Sequence, residues 1–519
     1  MFEKMRSIFL TYQKLNSILD IKRDCQYTTM KAKNILLHAI LISLALQSEA
    51  NSQKSESEAL NYHLQHAGTS AHPADPNAAV CVDGVYHLHY IYNANGDKKS
   101  FDYAHVVSKD LVNWEWKPTN LTQKDTGAKM FSGTAFKTPD GRIGTIYQGN
   151  GNVIAIAKDK SLEQWEKPYR ILPKNPRGVD EKLFRHWDPD LFVVDDTYYA
   201  VFGNLYFDLE KVPFLSKSKD LKNWEYVGPL MSKEMDDVLT AEDVSCANFF
   251  KLGEKWVLLC ISHARGARYY IGEWDKTDEQ FVPEFHGRLN HRHIYPSLPY
   301  CSIFAPESLL TDDGRRIVWF WLDGAGIGVQ TLPREFSLPS DGILRMKPAR
   351  ELESLRLDKK TCKNLEVKSN PETSEQRVEY LFDLPSDAVE IGAEISRHEA
   401  EMNRVGFELF SDGDKNRGVQ ILFCADYKTL RVGGVEIPFE LKTLPPNENL
   451  KIRIFVDKHI VEVFVNDRIA AAAIGRNPQI RKFHALGFKR PYKIEKIDVW
   501  NLKPANKGYK DALKNGIVK

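Results

Sequence analysis

Residues 108–115 read SKDLVNWE, residues 158–166 read KDKSLEQWE and residues 218–225 read SKDLKNWE. Each carries a Lys-Asp pair, then a leucine, then a tryptophan three residues after the leucine. Trp114, Trp165 and Trp224 are 51 and 59 residues apart, and Trp274, in IGEWD, follows after another 50 as a degraded fourth copy. Self-similarity at such a period is the signature of stacked supersecondary units.

A second series runs in phase with the first. Asp83-Gly84 precedes VYHLHYIY, Asp140-Gly141 precedes RIGTIYQG and Asp195-Asp196 precedes TYYAVFGN. Gly253-Glu254 precedes KWVLLCISH, and Asp313-Gly314 precedes RRIVWFWL. The intervals are 57, 55, 58 and 60 residues. A tight turn followed by a β-branched and aromatic run marks a hairpin. Five such units predict an all-β fold whose first part, residues 60–345, is a five-bladed β-propeller. A sandwich would also supply strands, but not a fixed period with matched motifs. Beyond residue 350 the motif stops. Residues 346–376 read as an inter-domain segment, polar and lysine-rich over 357–376. The alternating runs RVGFELFS, GVQILFCA, KIRIFVDK and HIVEVFVND then predict a C-terminal β-sandwich over 377–505, with a tail at 506–519.

Composition agrees with a folded protein. The 519 residues are 42% hydrophobic and 27% charged, with a net charge of +1 and 11% aromatics. Disordered, collagenous and coiled-coil classes are excluded, and there is no basic footprint for nucleic acid. The seven cysteines include no CxxC pair; several lie in apolar runs and read as buried thiols.

The front of the chain reads as processed. Met30-Lys31-Ala32-Lys33 is a basic start, Ile35 to Leu46 an apolar stretch, and Ser48-Glu49-Ala50 a cleavage site after Ala50. Residues 30–50 are therefore expected to be a signal peptide, too short in their apolar part to span a bilayer, where about 20 residues are needed. Residues 1–29 read as an upstream extension and 51–59 as a linker. The protein is expected to be secreted or periplasmic, with no stable membrane insertion.

Acidic residues recur ahead of the turns. Asp75, Ser132 and Asp188 each stand eight residues before an aspartate of the turn series, at 83, 140 and 196. Glu242 and Asp243 precede Gly253 by 11 and 10, and Glu307 precedes Asp313 by six. Equivalent positions of a propeller face one end of one channel, so these acids are expected to converge. Two converging carboxylates suit glycoside hydrolysis, one attacking or activating water and the other protonating the leaving oxygen. Asp-Pro pairs are also common turn formers, but two in register argue for more. His87 and His89 share a strand face and read as packing, not as metal ligands. No GxSxG, HExxH, P-loop or dinucleotide fingerprint is present.

These stretches resemble glycoside hydrolase family 32, the β-fructosidases. The matching segments, in order, are DPNAAVCVDGVYHLHYIYN, YAHVVSKDLVNWE, MFSGTAF, HWDPDLF, EDVSCANFFKL, ARELESLR and VEVFVND. The resemblance implies a propeller followed by a sandwich, and a retaining mechanism. Asp75 would be the nucleophile. Glu242, with Asp243 as its rival, would be the general acid/base with a raised pKa. Asp188 would stabilise the transition state without titrating. Asn77, Phe131, Ser132 and Trp187 would bind the sugar. The chain departs from the family at Ala74, Ala78, Ile91 and Trp187, where the family has Asn, Gly, Gln and Arg. The family's acid stands directly before the cysteine, a place taken here by Ser245. A changed substrate is expected, with Trp187 free to stack on a sugar ring.

The expected function is hydrolysis of β-fructofuranosidic or related furanosidic bonds in oligo- or polysaccharides. The rivals are an inverting arabinofuranosidase-like propeller enzyme and a carbohydrate-binding homologue without turnover. The partner expected is a carbohydrate substrate, and the chemistry calls for no cofactor and no metal.

Overall fold

The computed structural model describes residues 59–517, except 69–70, 94–99, 179, 181–184, 205–212, 240–241, 291, 294–298, 300, 370–375 and 414–416. The expected extension and signal peptide, and all but the last residue of the linker, lie outside the described residues.

Five four-stranded antiparallel sheets follow one another along the chain. Blade one is β1 (Pro76–Val82), β2 (Val85–Tyr92), β3 (Asp102–Ser108) and β4 (Glu115–Lys117). Blade two is β5 (Gly133–Lys137), β6 (Ile143–Gly149), β7 (Gly151–Ile156) and β8 (Tyr169–Arg170). Blade three is β9 (Asp190–Val194), β10 (Thr197–Phe202), β11 (Phe214–Ser218) and β12 (Trp224–Pro229). Blade four is β13 (Ser245–Leu252), β14 (Lys255–Ser262), β15 (Gly266–Asp275) and β16 (Gln280–Arg288). After the short β17 (Arg292–His293) comes blade five, β18 (Ser302–Leu310), β19 (Arg316–Asp323), β20 (Arg334–Ser337) and β21 (Arg345–Pro348). This is the five-bladed propeller expected from the turn series. Asp83 and Gly84 both hold positive φ, 50° and 76°, as a two-residue hairpin turn requires.

The tryptophan motif is a turn between the third and fourth strands of a blade. In blade three the Asp220 carboxylate accepts from the Lys222 and Asn223 amides at 2.9 and 2.8 Å. Leu221 then takes a left-handed φ of 64°, and Trp224 Nε1 donates back to the Leu221 carbonyl at 2.8 Å. Blade two repeats this with Asp159, Leu162 at φ 56° and Trp165. Trp274 differs: it lies inside β15, ahead of its turn. There Asp275 accepts from Thr277 and Asp278, and buried Phe281 fills the place after the turn.

The innermost strands β1, β5, β9, β13 and β18 are tied in a closed ring by buried side chains. Asn77 accepts from the Gly133 amide at 2.8 Å, and Thr134 donates to Asp190 at 2.7 Å. Asp190 accepts from the Phe249 amide at 2.6 Å, Asn248 donates to Glu307 at 3.3 Å, and Glu307 accepts from the Ala79 amide at 2.7 Å. Glu307 is thus a structural link deeper in the channel.

The sandwich comprises β22 (Arg356–Val367), β23 (Arg377–Asp383), β24 (Ala388–Ile395), β25 (Arg404–Leu409), β26 (Val419–Cys424), β27 (Thr429–Val432), β28 (Val435–Pro438), β29 (Leu450–Asp457), β30 (Ile460–Val465), β31 (Ile469–Ile474), β32 (Lys482–Gly487) and β33 (Tyr492–Leu502). One sheet runs β22-β33-β24-β29-β30-β31, the other β17-β28-β27-β26-β25-β32-β23. Two features depart from the sequence expectation. Part of the segment 346–376 is β22, an edge strand whose middle is exposed on both faces, so no alternation marks it. The connection from blade four to blade five contributes β17 to the sandwich, pairing Arg292 with Glu436 and His293 with Val435.

The two parts share an apolar core, in which Phe320, Phe336 and Leu332 of blade five pack with Phe455, Phe464 and Ala472 of the sandwich. Beside it His63 is enclosed between Asp457 at 2.9 Å and Glu462 at 3.1 Å, and Glu462 also accepts from Arg334 at 2.8 Å. Residues 64–66 pair with blade five, through His66 to Gly328 and Gln330 to Leu64. Ala505 donates to the Asn61 carbonyl at 2.8 Å, and the helix Lys507–Asn515 packs on β4 with Tyr509 against Trp116. Among the described residues no helix is long and apolar enough to cross a membrane.

Candidate active site

The site lies where the inner strands begin. Three of them carry a β-bulge there: β1 between Asn77 and Val80, β13 between Ser245 and Asn248, and β18 between Phe304 and Pro306. Asp188, just ahead of β9, and Cys246, in the β13 bulge, hold positive φ of 33° and 49°. Such backbone costs energy and re-aims a side chain at a functional mouth. Ala78 likewise sits at φ 45°, which explains the glycine the family carries at that place.

Asp75, Ser132 and Asp188 come together as their register predicts. Ser132 Oγ donates to Asp75 Oδ2 at 2.8 Å. Asp188 Oδ2 accepts from the Cys246 amide at 3.2 Å and lies 3.5 Å from Cys246 Sγ. The thiol also stands 3.5 Å from Ser132 Oγ and 4.0 Å from Asp75 Oδ2, so it floors the space between the two acids. Burial raises the Asp75 carboxyl, and the Ser132 hydrogen bond opposes it only in part. Burial and then the Asp75 charge push Asp188 up to about 7. Asp188 therefore titrates near neutrality, contrary to the expectation that it stays charged. Two carboxylates sharing one site cannot both ionise freely.

Among the expected sugar contacts, Asn77 is buried. Its amide donates to the Asp75 carbonyl at 2.6 Å while its oxygen belongs to the inner ring. Phe131 packs on Phe101 at 5.3 Å, and its carbonyl accepts from Tyr103. Trp187 is half-buried; Gly203 donates to its carbonyl, and its Nε1 donates to Ser245 Oγ at 2.8 Å. Ile91 is not in the site. It is buried in the core with Val80, Tyr103 and Met130.

The expected acid, Glu242, is not brought to the two aspartates. Its carboxylate is clasped by both terminal nitrogens of Arg288, takes the Leu239 amide at 3.0 Å and lies 4.0 Å from Arg268. Burial alone would raise it, but Arg288, the Leu239 amide and the Arg268 charge outweigh burial and hold it below the usual carboxylate value. The raised pKa that an acid needs is absent. The cause is register: Ser245 and Cys246 are the blade-four partners of Trp187 and Asp188, and Glu242 stays on the preceding loop. Asp243 is nearer. Its Oδ2 accepts from Ser245 Oγ at 2.7 Å and meets His263 Nδ1 at 2.6 Å, and its Oδ1 accepts from the His263 amide at 2.8 Å. Burial raises Asp243, yet the His263 bond and charge hold it low.

His263 was not singled out by its sequence, although Ser245 in the acid's place was a sign that another group had to be sought. It follows β14, its side chain 41% exposed. Its ring lies 6.3 Å from Trp187 and 6.1 Å from Phe304. The histidines of β2 are packing: His87 bonds His105 at 3.0 Å, and burial lowers His87 and His89 to about 4 and about 3.

Comparison with known proteins decides the family. The model of the glycosyl hydrolases family 32 N-terminal domain matches residues 66–348, and that of the family 32 C-terminal domain matches 351–501. This chain belongs to glycoside hydrolase family 32. It is accordingly a hydrolase of O-glycosyl bonds. A sucrose-6-phosphate hydrolase of Zymomonas mobilis is 26% identical over 443 residues, covering 76% of this chain and 81% of the relative. A fructan 1-exohydrolase of Bromus pictus is 25% identical over 528 residues, covering 83% and 85%. Among solved structures, fructan 1-exohydrolase IIa from Cichorium intybus superposes with a TM-score of 0.66 at 20% identity, covering 86% of this chain and 98% of that one.

Proposed function

We propose that this family 32 chain hydrolyses β-fructofuranosidic bonds of oligo- or polysaccharides by double displacement, and that it acts outside the cytoplasm. The observation that carries the mechanism is the Asp75–Asp188 pair around the Ser132 hydroxyl and the Cys246 thiol. Asp75, half-buried and held by Ser132, attacks the anomeric carbon. Asp188, deeper and 5% exposed, holds sugar hydroxyls and strengthens that grip as positive charge develops. Trp187, where the family has an arginine, offers an aromatic face to the ring. The fructoside-acting relatives support the substrate class. Glu242, with its arginines, fixes the loop ahead of β13, while Asp243 is bonded to Ser245 and His263.

The test is turnover of sucrose and oligofructosides with the first-formed anomer read by NMR. The retained anomer is expected, and Asp75→Asn is expected to lower kcat by roughly three orders of magnitude or more while sugar binding persists. An inverted first product would establish the arabinofuranosidase-like alternative. Equal turnover by wild type and variant would leave only carbohydrate binding. Export rests on Met30–Ala50; N-terminal sequencing of exported protein is expected to begin at Asn51.

A further inference from the structure

The place that carries the acid in the family is Ser245 here, and Glu242 is locked to two arginines. Something else must meet the leaving oxygen. The leaving oxygen needs a proton donor beside the two acids, on the half-exposed rim of the site. The group standing on that rim is an imidazole held at two points: Asp243 Oδ2 meets His263 Nδ1 at 2.6 Å, and Asp243 Oδ1 accepts the His263 amide at 2.8 Å. The same carboxylate is fixed by Ser245, which is fixed in turn by Trp187 Nε1 at 2.8 Å. The ring is thus seated beside Trp187 and Phe304, with Nδ1 committed to Asp243 and Nε2 without a hydrogen-bond partner among the described residues.

We propose that His263, oriented by Asp243, is the general acid/base of this enzyme. The inference rests on the fructoside-hydrolase reading above. In the first step the Nε2 proton of the imidazolium passes to the glycosidic oxygen as its bond to the anomeric carbon breaks, and Asp75 forms an ester with that carbon. In the second, neutral His263 takes a proton from water, the water oxygen bonds to the same carbon, and the Asp75 carboxylate leaves. The charged groups facing the ring are Asp243 on the loop ahead of β13, Asp188 ahead of β9 and Asp75 ahead of β1. The Asp243 hydrogen bond, stronger than the opposing burial, with the charges of all three raises the imidazole above its ordinary value. A proton is therefore available near neutrality.

Leaving-group dependence tests this directly. An aryl β-fructofuranoside with a nitrophenolate leaving group needs little protonation, whereas sucrose needs it. His263→Gln is expected to lose about 10²–10⁴-fold in kcat/KM on sucrose and far less on the aryl substrate. The alkaline limb of its pH profile should vanish. In Asp243→Asn that limb should move to lower pH, because the imidazole loses the carboxylate that favours its charged form. Equal loss on both substrates, or no loss, overturns the proposal. So does leaving-group-dependent loss in Glu242→Gln alone. Wild type inactive on both fructosides defeats the underlying function. Activity abolished by Asp75→Asn but untouched by His263→Gln defeats His263 alone. Unfolding midpoints of the variants separate misfolding from chemistry.

Discussion

Single residues carry the site's pH behaviour. Asp188 is pushed up to about 7 in the folded chain, against 3.8 as the ordinary value. The native state therefore holds a proton that the unfolded chain releases, so stability falls as pH rises from about 4 to about 7 and stays low above. Asp188→Asn removes this dependence. The variant is expected to unfold at a higher temperature than wild type at pH 8 and to differ little at pH 4, as thermal melts would read, while its kcat falls. The pairing of Asp75 and Asp188 was legible from their equal offsets to the turns. The acid was not, because a one-dimensional spacing cannot tell a strand position from the loop three residues ahead of it. Glu242 and Ser245 differ in this way. His263 lies some twenty residues from Asp243, and only folding joins them.

At the scale of the element, the tryptophan motif proved to be a chemical device. An aspartate caps two amides, a leucine accepts left-handed backbone, and the indole closes the turn on that leucine's carbonyl. Only Gly, Asn and Asp adopt that conformation readily; the buried leucine is held there by its surroundings. Trp224→Phe keeps the packing and loses the hydrogen bond, and is expected to cost about 1 kcal/mol in denaturant unfolding. Trp224→Ala empties the site and should cost about 3–5 kcal/mol. No loss in Trp224→Phe would mean that the indole hydrogen bond carries no weight, and equal losses that the packing adds nothing beyond it. Strands buried on one face announced themselves by alternation. The lysine-rich β22, exposed through its middle, did not, and Trp274 matched in spacing while standing on the wrong side of its turn.

At the scale of the molecule, the junction is electrostatic as well as apolar. His63, fully buried between Asp457 and Glu462, is raised to about 9: burial opposes the charge, but the two carboxylate hydrogen bonds and charges outweigh it. Its contribution is complete below pH 6.5 and lost as pH rises through 9, on the order of 3 kcal/mol. Urea midpoints at pH 6 and 9.5 are expected to differ by more in wild type than in His63→Ala, which should be destabilised mainly at the lower pH by leaving buried Asp457 without its cation and Glu462 with Arg334 alone. The two-domain plan was legible from the turn period and its loss near residue 350; the cross-links between the parts were not, since each joins residues more than a hundred positions apart. One of them orders events in time. Residues 60–66 lie on blade five and on the sandwich, and Asn506 Nδ2 closes over them onto the Leu60 and His63 carbonyls at 2.8 Å, just before the helix that rests on blade one. A ribosome that has released only the five blades has made a ring without its clasp. The segment that completes the seam lies beyond the sandwich strands in sequence, so blade one meets this neighbour only after the sandwich has been made.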